Sequence, residues 1–230
     1  MPSLTRSDLV SRIGDLIGDP ENTRWTSTQK QNKIQEVQEQ FVLDTRVLVD
    51  SQTETVVAGT SEYSLPSDVL DIIRVAHRGI RLQRLSKFEL DNLYQSDWSD
   101  DEGTPHSYYV DLDPNNKKLR LFPVPKAADA GANLVEEWVK IPPTLSSDAS
   151  VPFDGHTLLV PYHMALAYKA ASEFLKVELQ NNPNGQGVLA TIREYEREYN
   201  RLVSHCIETF KHLGETSPMR FRGGRYHKGL

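Results

Sequence analysis

The sequence has little of several features that would define a function. One cysteine, Cys206, occurs among 230 residues, which excludes an internal disulfide and a zinc site built from several cysteines. No run of about 18 apolar residues is present, so we expect no transmembrane helix and no membrane partner. The first nineteen residues have no basic region followed by an apolar one. We therefore expect no secretory signal, and the chain is predicted to be made in the cytoplasm.

Motifs that carry catalysis are absent as well. The sequence has no HExxH, no paired CxxC and no GxSxG. His205 and His212 lie seven residues apart on a predicted helix, but no third ligand is placed beside them. Asp111, Asp113 and Asn115 alternate as in a calcium loop, yet glycine and glutamate are missing where such a loop needs them. We predict no enzyme, no metal site and no cofactor.

Apolar periodicity predicts two helices at each end of the chain. The predicted helices are Ser7–Ile17, Thr28–Leu48, a third from Asp154 or Thr157 to Leu179, and Gln186–Leu213. Thr26 and Ser27 are cap candidates for the second helix. Along the last helix, apolar residues advance by threes and fours in the manner of a coiled coil. We predict that its seam packs between subunits through Ile192, Tyr195, Tyr199 and Leu202.

The middle of the chain has short, alternating, β-branched runs. They read as strands in QTETVVA, DIIRVAH, IRLQRLS, SYYVDLD, KLRLFPV and LVEEWVKI. Asp113–Asn116 lies between two such runs and predicts a hairpin turn. Ser86 and Glu89 form a capping box before one short helix.

This order predicts an α+β fold, mainly α. Its centre would be a four-helix bundle with a β-rich insertion between the second and third helices, followed by an extended C-terminal tail. The expected divisions are 1–50 for the N-terminal helices, 51–153 for the insertion, 154–214 for the C-terminal helices and 215–230 for the tail.

Charge is unevenly distributed along the chain. Residues 217–230 hold Arg220, Arg222, Arg225, Lys228 and no acid, so removing these four charges from the net −6 leaves −10 on the rest. The segment from Glu89 to Glu102 has six acids and no base. It is either a solvated loop or an acidic surface that repels a polyanion or meets a basic partner.

The tail itself has three interpretations. It is a disordered basic end, a nucleic-acid tether marked by the single RGG at Arg222, or a strand that docks on a partner's sheet edge. The last interpretation follows from the alternation of apolar and basic residues. The predicted docking residues are Met219, Arg220, Phe221, Arg222, Arg225, Tyr226 and Lys228.

Residues 50–180 resemble the head-to-tail adaptor, or connector, proteins of tailed bacteriophages. Tyr63–Asp68 looks like the Y-x-L-P-x-D motif of that family, and Leu82–Leu90 is similar to its helix ending in E-L. The segments that follow match the family's usual order: Gly103–Tyr109, Leu119–Pro125, Glu136–Val139, Pro142–Asp148 and Val151–Phe153.

The resemblance implies a structural protein of the virion neck, between capsid and tail, that is made in the host cytoplasm. Such adaptors form a homo-oligomeric ring, usually twelve-fold, beneath the portal. They prolong the DNA channel, so duplex DNA would pass without specific binding during genome ejection, and they receive a tail or nozzle protein. In related adaptors a C-terminal extension enters the portal, which implies that role for the basic tail. The alternatives are a tail completion or nozzle protein and a nucleic-acid-binding protein that uses the tail.

Overall fold

A computed structural model describes residues 2–94, 98–113, 116–181 and 186–216. The chain divides into two compact units. Met1–Val47 and Pro142–Leu230 form the first, here called the helical unit, and Leu48–Ile141 form the second, the β unit. The described helices are α1 (Arg6–Ile17), α2 (Ser27–Thr45), α3 (Lys87–Tyr94), α4 (His163–Asn181) and α5 (Gln186–Thr216).

Side-chain caps define the first two helices. Thr5 forms a capping box with Asp8 at the start of α1, and Thr26 forms one with Gln29 at the start of α2. Each box satisfies backbone N–H groups that have no partner within the helix. The helix α1 ends at Gly18, whose φ of 66° lies in the left-handed region that glycine adopts without strain.

Four aromatic rings from separate segments meet in the core of the helical unit. The ring of Phe41 lies 5.2 Å from that of Phe153 and 6.3 Å from those of Tyr162 and Tyr199, measured between centroids. These residues come from α2, from the turns before α4 and from α5, and all four are buried. The cluster therefore ties parts of the chain that are distant in sequence.

A buried ion pair organises the connection between α1 and α2. Lys30 Nζ lies 3.3 Å from Asp19 Oδ2 and donates to the Asp19 carbonyl oxygen at 2.7 Å. Burial alone would raise the pKa of Asp19, but hydrogen bonds from the backbone of Trp25 and the side chain of Thr23 hold it well below its usual range. The carboxylate thus remains charged and fixes the loop.

The described residues of the β unit form two four-stranded sheets and one two-stranded sheet. Its described strands are β1 (Val49–Thr55), β2 (Glu62–Ser64), β3 (Val69–His77), β4 (Ile80–Arg81), β5 (Gln83–Arg84), β6 (Glu102–Gly103), β7 (Ser107–Asp113), β8 (Asn116–Phe122), β9 (Val124–Pro125) and β10 (Asn133–Lys140). The first sheet has the order β1-β10-β3-β4 and the second β2-β8-β7-β5, while β6 pairs with β9. The predicted hairpin is present, since β7 and β8 pair antiparallel and Asp113 opposes Asn116.

The two larger sheets share one hydrophobic core. Ile72, Val75, Leu134 and Trp138 contribute from the first sheet, and Tyr63, Tyr108, Leu119 and Leu121 contribute from the second. All of them are buried. The β unit is therefore a two-layer sandwich with an interior of its own.

The prediction of a mainly α four-helix bundle is wrong, because the architecture is mixed α and β. Five helices occur among the described residues, and α3 lies within the β unit. At about 1.5 Å per residue, α1 spans roughly 18 Å and α5 roughly 46 Å. Helices of such different length cannot lie side by side throughout a regular bundle, and the 94 residues of Leu48–Ile141 form a unit rather than an appendage.

Several element boundaries also differ from the prediction. The segment before α4 forms 3-10 turns at Pro152–Gly155 and Thr157–Tyr162, so the α-helix begins only at His163. Phe153 and Asp154 have positive φ, and Pro161 lacks the N–H that an earlier helix would need. The helix α2 ends at Thr45, because Arg46 adopts a left-handed conformation and β1 begins at Val49.

Glu136 is fully buried in the β unit, and burial raises its pKa to about 7. Gln52 Nε2 donates to its Oε2 at 2.6 Å, which opposes the shift, and the nearby charge of Glu54 adds to it. The folded state therefore binds this proton more tightly than the unfolded state does, whose ordinary value is 4.5. The contribution of protonated Glu136 to the free energy of unfolding is present at low pH and is lost as pH rises through about 7.

We expect Glu136→Gln to flatten that pH dependence. At about 1.4 kcal/mol per pKa unit, the parent should lose about 3 kcal/mol of unfolding free energy between pH 4.5 and 8 through this group, and the variant should not. The variant should accordingly be the more stable of the two at pH 8. Urea unfolding at pH 5 and pH 8 measures the difference, and parallel changes in both proteins would refute this assignment.

Candidate functional site

The predicted docking residues of the tail lie outside the described residues. Met219, Arg220, Phe221, Arg222, Arg225, Tyr226 and Lys228 all follow Thr216, the last residue of α5. Their role at a partner's surface stays a prediction.

The predicted seam of α5 makes its described contacts within one chain. Ile192 and Tyr199 are buried, whereas Tyr195 and Leu202 are half-buried. Tyr199 donates its hydroxyl to Asp44 Oδ2 at 2.7 Å, and Tyr195 donates to the Leu16 carbonyl oxygen at 3.0 Å. Burial and the Asp44 bond raise the pKa of Tyr199, so the phenol stays protonated. Among the four seam residues, only Tyr195 and Leu202 are thus partly exposed.

The acidic segment begins on α3, and its first turn is held by the predicted capping box. Ser86 Oγ accepts from the Glu89 backbone N–H at 3.1 Å. Glu89 Oε2 accepts from the Ser86 backbone N–H at 2.6 Å and from its hydroxyl at 2.8 Å. Both bonds to Glu89 lower the pKa of its carboxyl group, and the bond from the Ser86 backbone N–H lowers it most. The helix start is therefore fixed by a charged cap.

An aromatic cluster holds the inner side of this segment. Trp98 meets Tyr109 edge-on at 5.7 Å and Phe122 edge-on at 5.8 Å, and its Nε1 donates to Asp91 Oδ1 at 2.7 Å. Leu90 is buried in the same cluster. Tyr94 of α3 also faces this cluster, with its ring 4.6 Å from that of Phe122, whereas Phe88 and Leu93 are directed to solvent.

The outer side of the segment is both acidic and apolar. Phe88 is 74% exposed and Leu93 65% exposed. Four exposed carboxylates are close to them in sequence: Asp91, Asp100, Asp101 and Glu102. Among the described residues, no lysine or arginine is within ion-pair distance of any of the four. We call Phe88, Asp91, Leu93, Asp100, Asp101 and Glu102 the acidic-apolar surface. Exposed large apolar side chains that accompany unpaired carboxylates make this segment a candidate for contact with another protein.

Sequence reasoning found the acids of this surface but not its apolar members. The sequence placed Phe88, Leu90 and Leu93 on one short helix without assigning their exposure, and the structure buries Leu90 while it leaves Phe88 and Leu93 exposed.

The remaining reactive side chains have structural partners. His205 Nδ1 lies 3.0 Å from the Tyr162 hydroxyl. His163 is buried, its Nδ1 accepts from the Leu4 backbone N–H at 3.1 Å, and burial lowers its pKa to about 4. Burial raises the pKa of the Cys206 thiol to about 12, so the thiolate is not formed at neutral pH. The side chain of His212 lies outside the described part.

The described residues contain neither a metal-binding group of side chains nor a membrane-spanning helix. Within residues 2–94, 98–113, 116–181 and 186–216, no three His, Cys, Asp or Glu side chains are grouped to hold a metal ion. In the same part of the chain, no helix has the length and apolar character needed to cross a membrane.

The sequence profile of one family, described as SU10 adaptor protein, matches residues 4–215. A search of curated proteins finds no match. The matched range contains both units and the region that resembles phage head-to-tail adaptors. That resemblance is therefore confirmed.

Proposed function

The chain belongs to the SU10 adaptor family, whose members are phage adaptor proteins, and we propose that it is the subunit of a head-to-tail adaptor ring. In this role it joins the portal to the tail and prolongs the DNA channel. The observation that carries the proposal is the family match, because it runs through both the helical unit and the β unit.

Family membership implies a component of the virion neck that contacts portal and tail proteins. In this proposal the basic C-terminal segment after α5 contacts the portal. The acidic-apolar surface contacts the tail or nozzle protein of the phage. Phe88 and Leu93 provide apolar area for a tail or nozzle protein, and the four carboxylates select a partner with basic side chains.

The helical unit supplies contacts between neighbouring copies in this proposal. Ile192 and Tyr199 hold α5 within its own chain, so the outer parts of Tyr195 and Leu202 are the members of the seam left to meet the next subunit. A ring of twelve copies is the proposed assembly. Side-by-side contacts of this kind close into a ring when the rotation between copies divides a full turn.

The charge of the chain suits a wall past which DNA slides. Without the tail, the protein carries −10, which repels the phosphate backbone instead of binding it. We therefore propose that duplex DNA passes during genome ejection without specific contacts. The role is structural, and no chemical step is assigned to the protein.

Removing residues 217–230 is expected to abolish addition to the portal ring. The full-length protein should add to purified portal in a fixed copy number, read as complex mass by native mass spectrometry at physiological salt. The truncated protein should leave the portal mass unchanged, because its anchor is gone. α5 ends at Thr216, so the truncation leaves every described element in place.

A variant with the order of residues 217–230 scrambled is the matched control, since it keeps the same charge. It should also fail, because docking depends on the alternation of apolar and basic residues. If the truncated protein adds as well as the parent, the tail is not the anchor. If the full-length protein ignores the portal and binds duplex DNA in a salt-sensitive manner, the nucleic-acid-binding alternative is correct.

A further inference from the structure

The two lateral edges of the β sandwich carry opposite charge. On one side lies β1, which holds Asp50 and Glu54 and no lysine or arginine. On the other side lie β4 and β5, which hold Arg81 and Arg84 and no acid. We call these the acidic edge and the basic edge.

The backbone of the acidic edge is available for contact. The Leu48 carbonyl oxygen accepts from Lys140 N, and Val56 N donates to the Ala132 carbonyl oxygen. In an antiparallel pair, every second residue directs its backbone N–H and C=O toward the partner strand. Leu48 and Val56 do so toward β10, and the residues that direct these groups away from β10 are therefore Val49, Ser51, Thr53 and Thr55. All four are exposed, and the Ser51 N–H is already bound by Asp50 Oδ1. Exposed strand edges of this kind accept other chains unless something covers them.

Two carboxyl groups, one on the edge strand β1 and one buried on the adjacent strand β10, have no cation among the described residues. Among the described residues, no lysine or arginine lies within ion-pair distance of Glu54 or Glu136. Glu136 Oε1 is buried and has no hydrogen-bond partner in the described part of the chain. By contrast, Glu62 on β2 of the other sheet is paired with both Lys118 and Arg120 at 2.6 Å. Asp50, the other acid of β1, lies 3.6 Å from Lys140 Nζ, so Glu54 is the acid of the edge strand that lacks a positive partner among the described residues.

The basic edge offers the complementary charge. Leu82 N donates to the Val75 carbonyl oxygen, and Gln83 N donates to the His106 carbonyl oxygen. The run Ile80–Arg84 therefore forms the edge strand of the first sheet and then that of the second. Ile80 is 72% exposed. Arg84 is paired with Asp71 at 3.0 Å. Arg81 has no carboxylate within ion-pair distance among the described residues and makes only a 3.5 Å contact to the Ile73 carbonyl oxygen.

We propose that the basic edge of one copy packs against the acidic edge of the next copy, with Arg81 facing Glu54. This proposal rests on the adaptor ring and names a surface through which its subunits meet. The two edges differ, so the contact is head-to-tail and generates a ring, not a two-fold pair. Two acidic edges or two basic edges would repel each other, which excludes the wrong orientation.

Charge reversal tests the contact on the assembled complex. Arg81→Glu and Glu54→Arg should each lower the number of subunits added to the portal at a given concentration, with a roughly tenfold weaker assembly midpoint. The double variant Arg81→Glu/Glu54→Arg should recover most of the loss, because every interface regains one pair. Arg12→Glu, an exposed reversal on α1 of the helical unit and on neither edge strand, is the matched control and should assemble like the parent.

Cross-linking gives a second readout that tolerates weak assembly. With Arg81→Cys and Glu54→Cys in one chain, a short bis-maleimide should produce a ladder of covalent oligomers, while buried Cys206 stays unreacted. The single variants should give no ladder. If the parent adds to the portal in fixed number but the reversals have no effect and no ladder forms, the edge contact is wrong and the adaptor role stands. If the parent does not add to the portal at all, the adaptor role fails and the edge contact falls with it.

Discussion

Phe41→Ala is expected to destabilise the helical unit by about 3–5 kcal/mol. Phe41 is fully buried and its ring lies within 6.3 Å of the rings of Phe153, Tyr162 and Tyr199. Truncation to alanine removes apolar burial and leaves a cavity among three bulky rings that cannot collapse freely. Since whole domains are stable by only about 5–15 kcal/mol, the loss is a large part of the total.

Hydrogen exchange of α2, α4 and α5 measures this effect where it arises. Phe41→Leu is the control, because it keeps most of the volume and should cost less than about 1.5 kcal/mol. Equal protection in the parent and the alanine variant would contradict the central position given to Phe41.

Trp138→Ala is expected to have an effect of similar size, about 3–5 kcal/mol, in the β unit. Trp138 lies on β10 opposite Ile72 of β3 and is buried in the core shared by the two larger sheets. Its removal leaves a large void between the layers. The loss should appear as faster exchange of the β3 and β10 amides.

Trp138→Phe distinguishes packing from hydrogen bonding at this position. The indole Nε1 is buried and no described residue accepts its hydrogen bond, so phenylalanine removes this donor while it keeps an aromatic ring. The phenylalanine variant should therefore remain much closer to the parent than the alanine variant does. Equal destabilisation by both would mean that the indole N–H has a partner that contributes to stability.

Local signals in the sequence predicted elements better than they predicted the fold class. Ser86 with Glu89 and Thr26 with Gln29 form the hydrogen-bonded boxes that helix starts need, and Asp113–Asn116 closes a hairpin. These features depend on residues a few positions apart. The four-helix bundle depended on how whole helices pack, and the apolar periodicity of a helix does not specify which other helices it packs against.

The same limit applies to the interfaces. The acids of residues 89–102 were visible in the sequence, whereas the exposure of Phe88 and Leu93 required knowledge of which face Leu90 buries. The missing cation at Glu54 and Glu136 depends on the register that places Gln52 opposite Glu136. Pairing of distant strands is set by three-dimensional contacts, so neither edge of the sandwich could be recognised from charge along the chain alone.

The position of the protein in the intact virion tests the adaptor role most directly. We would image phage particles by cryo-electron microscopy and count the copies of this chain by quantitative mass spectrometry against the portal protein. The adaptor role predicts one ring of this protein between portal and tail, with the same copy number in every particle. Absence from the particle, or a location in the capsid shell or at the distal end of the tail, would contradict it.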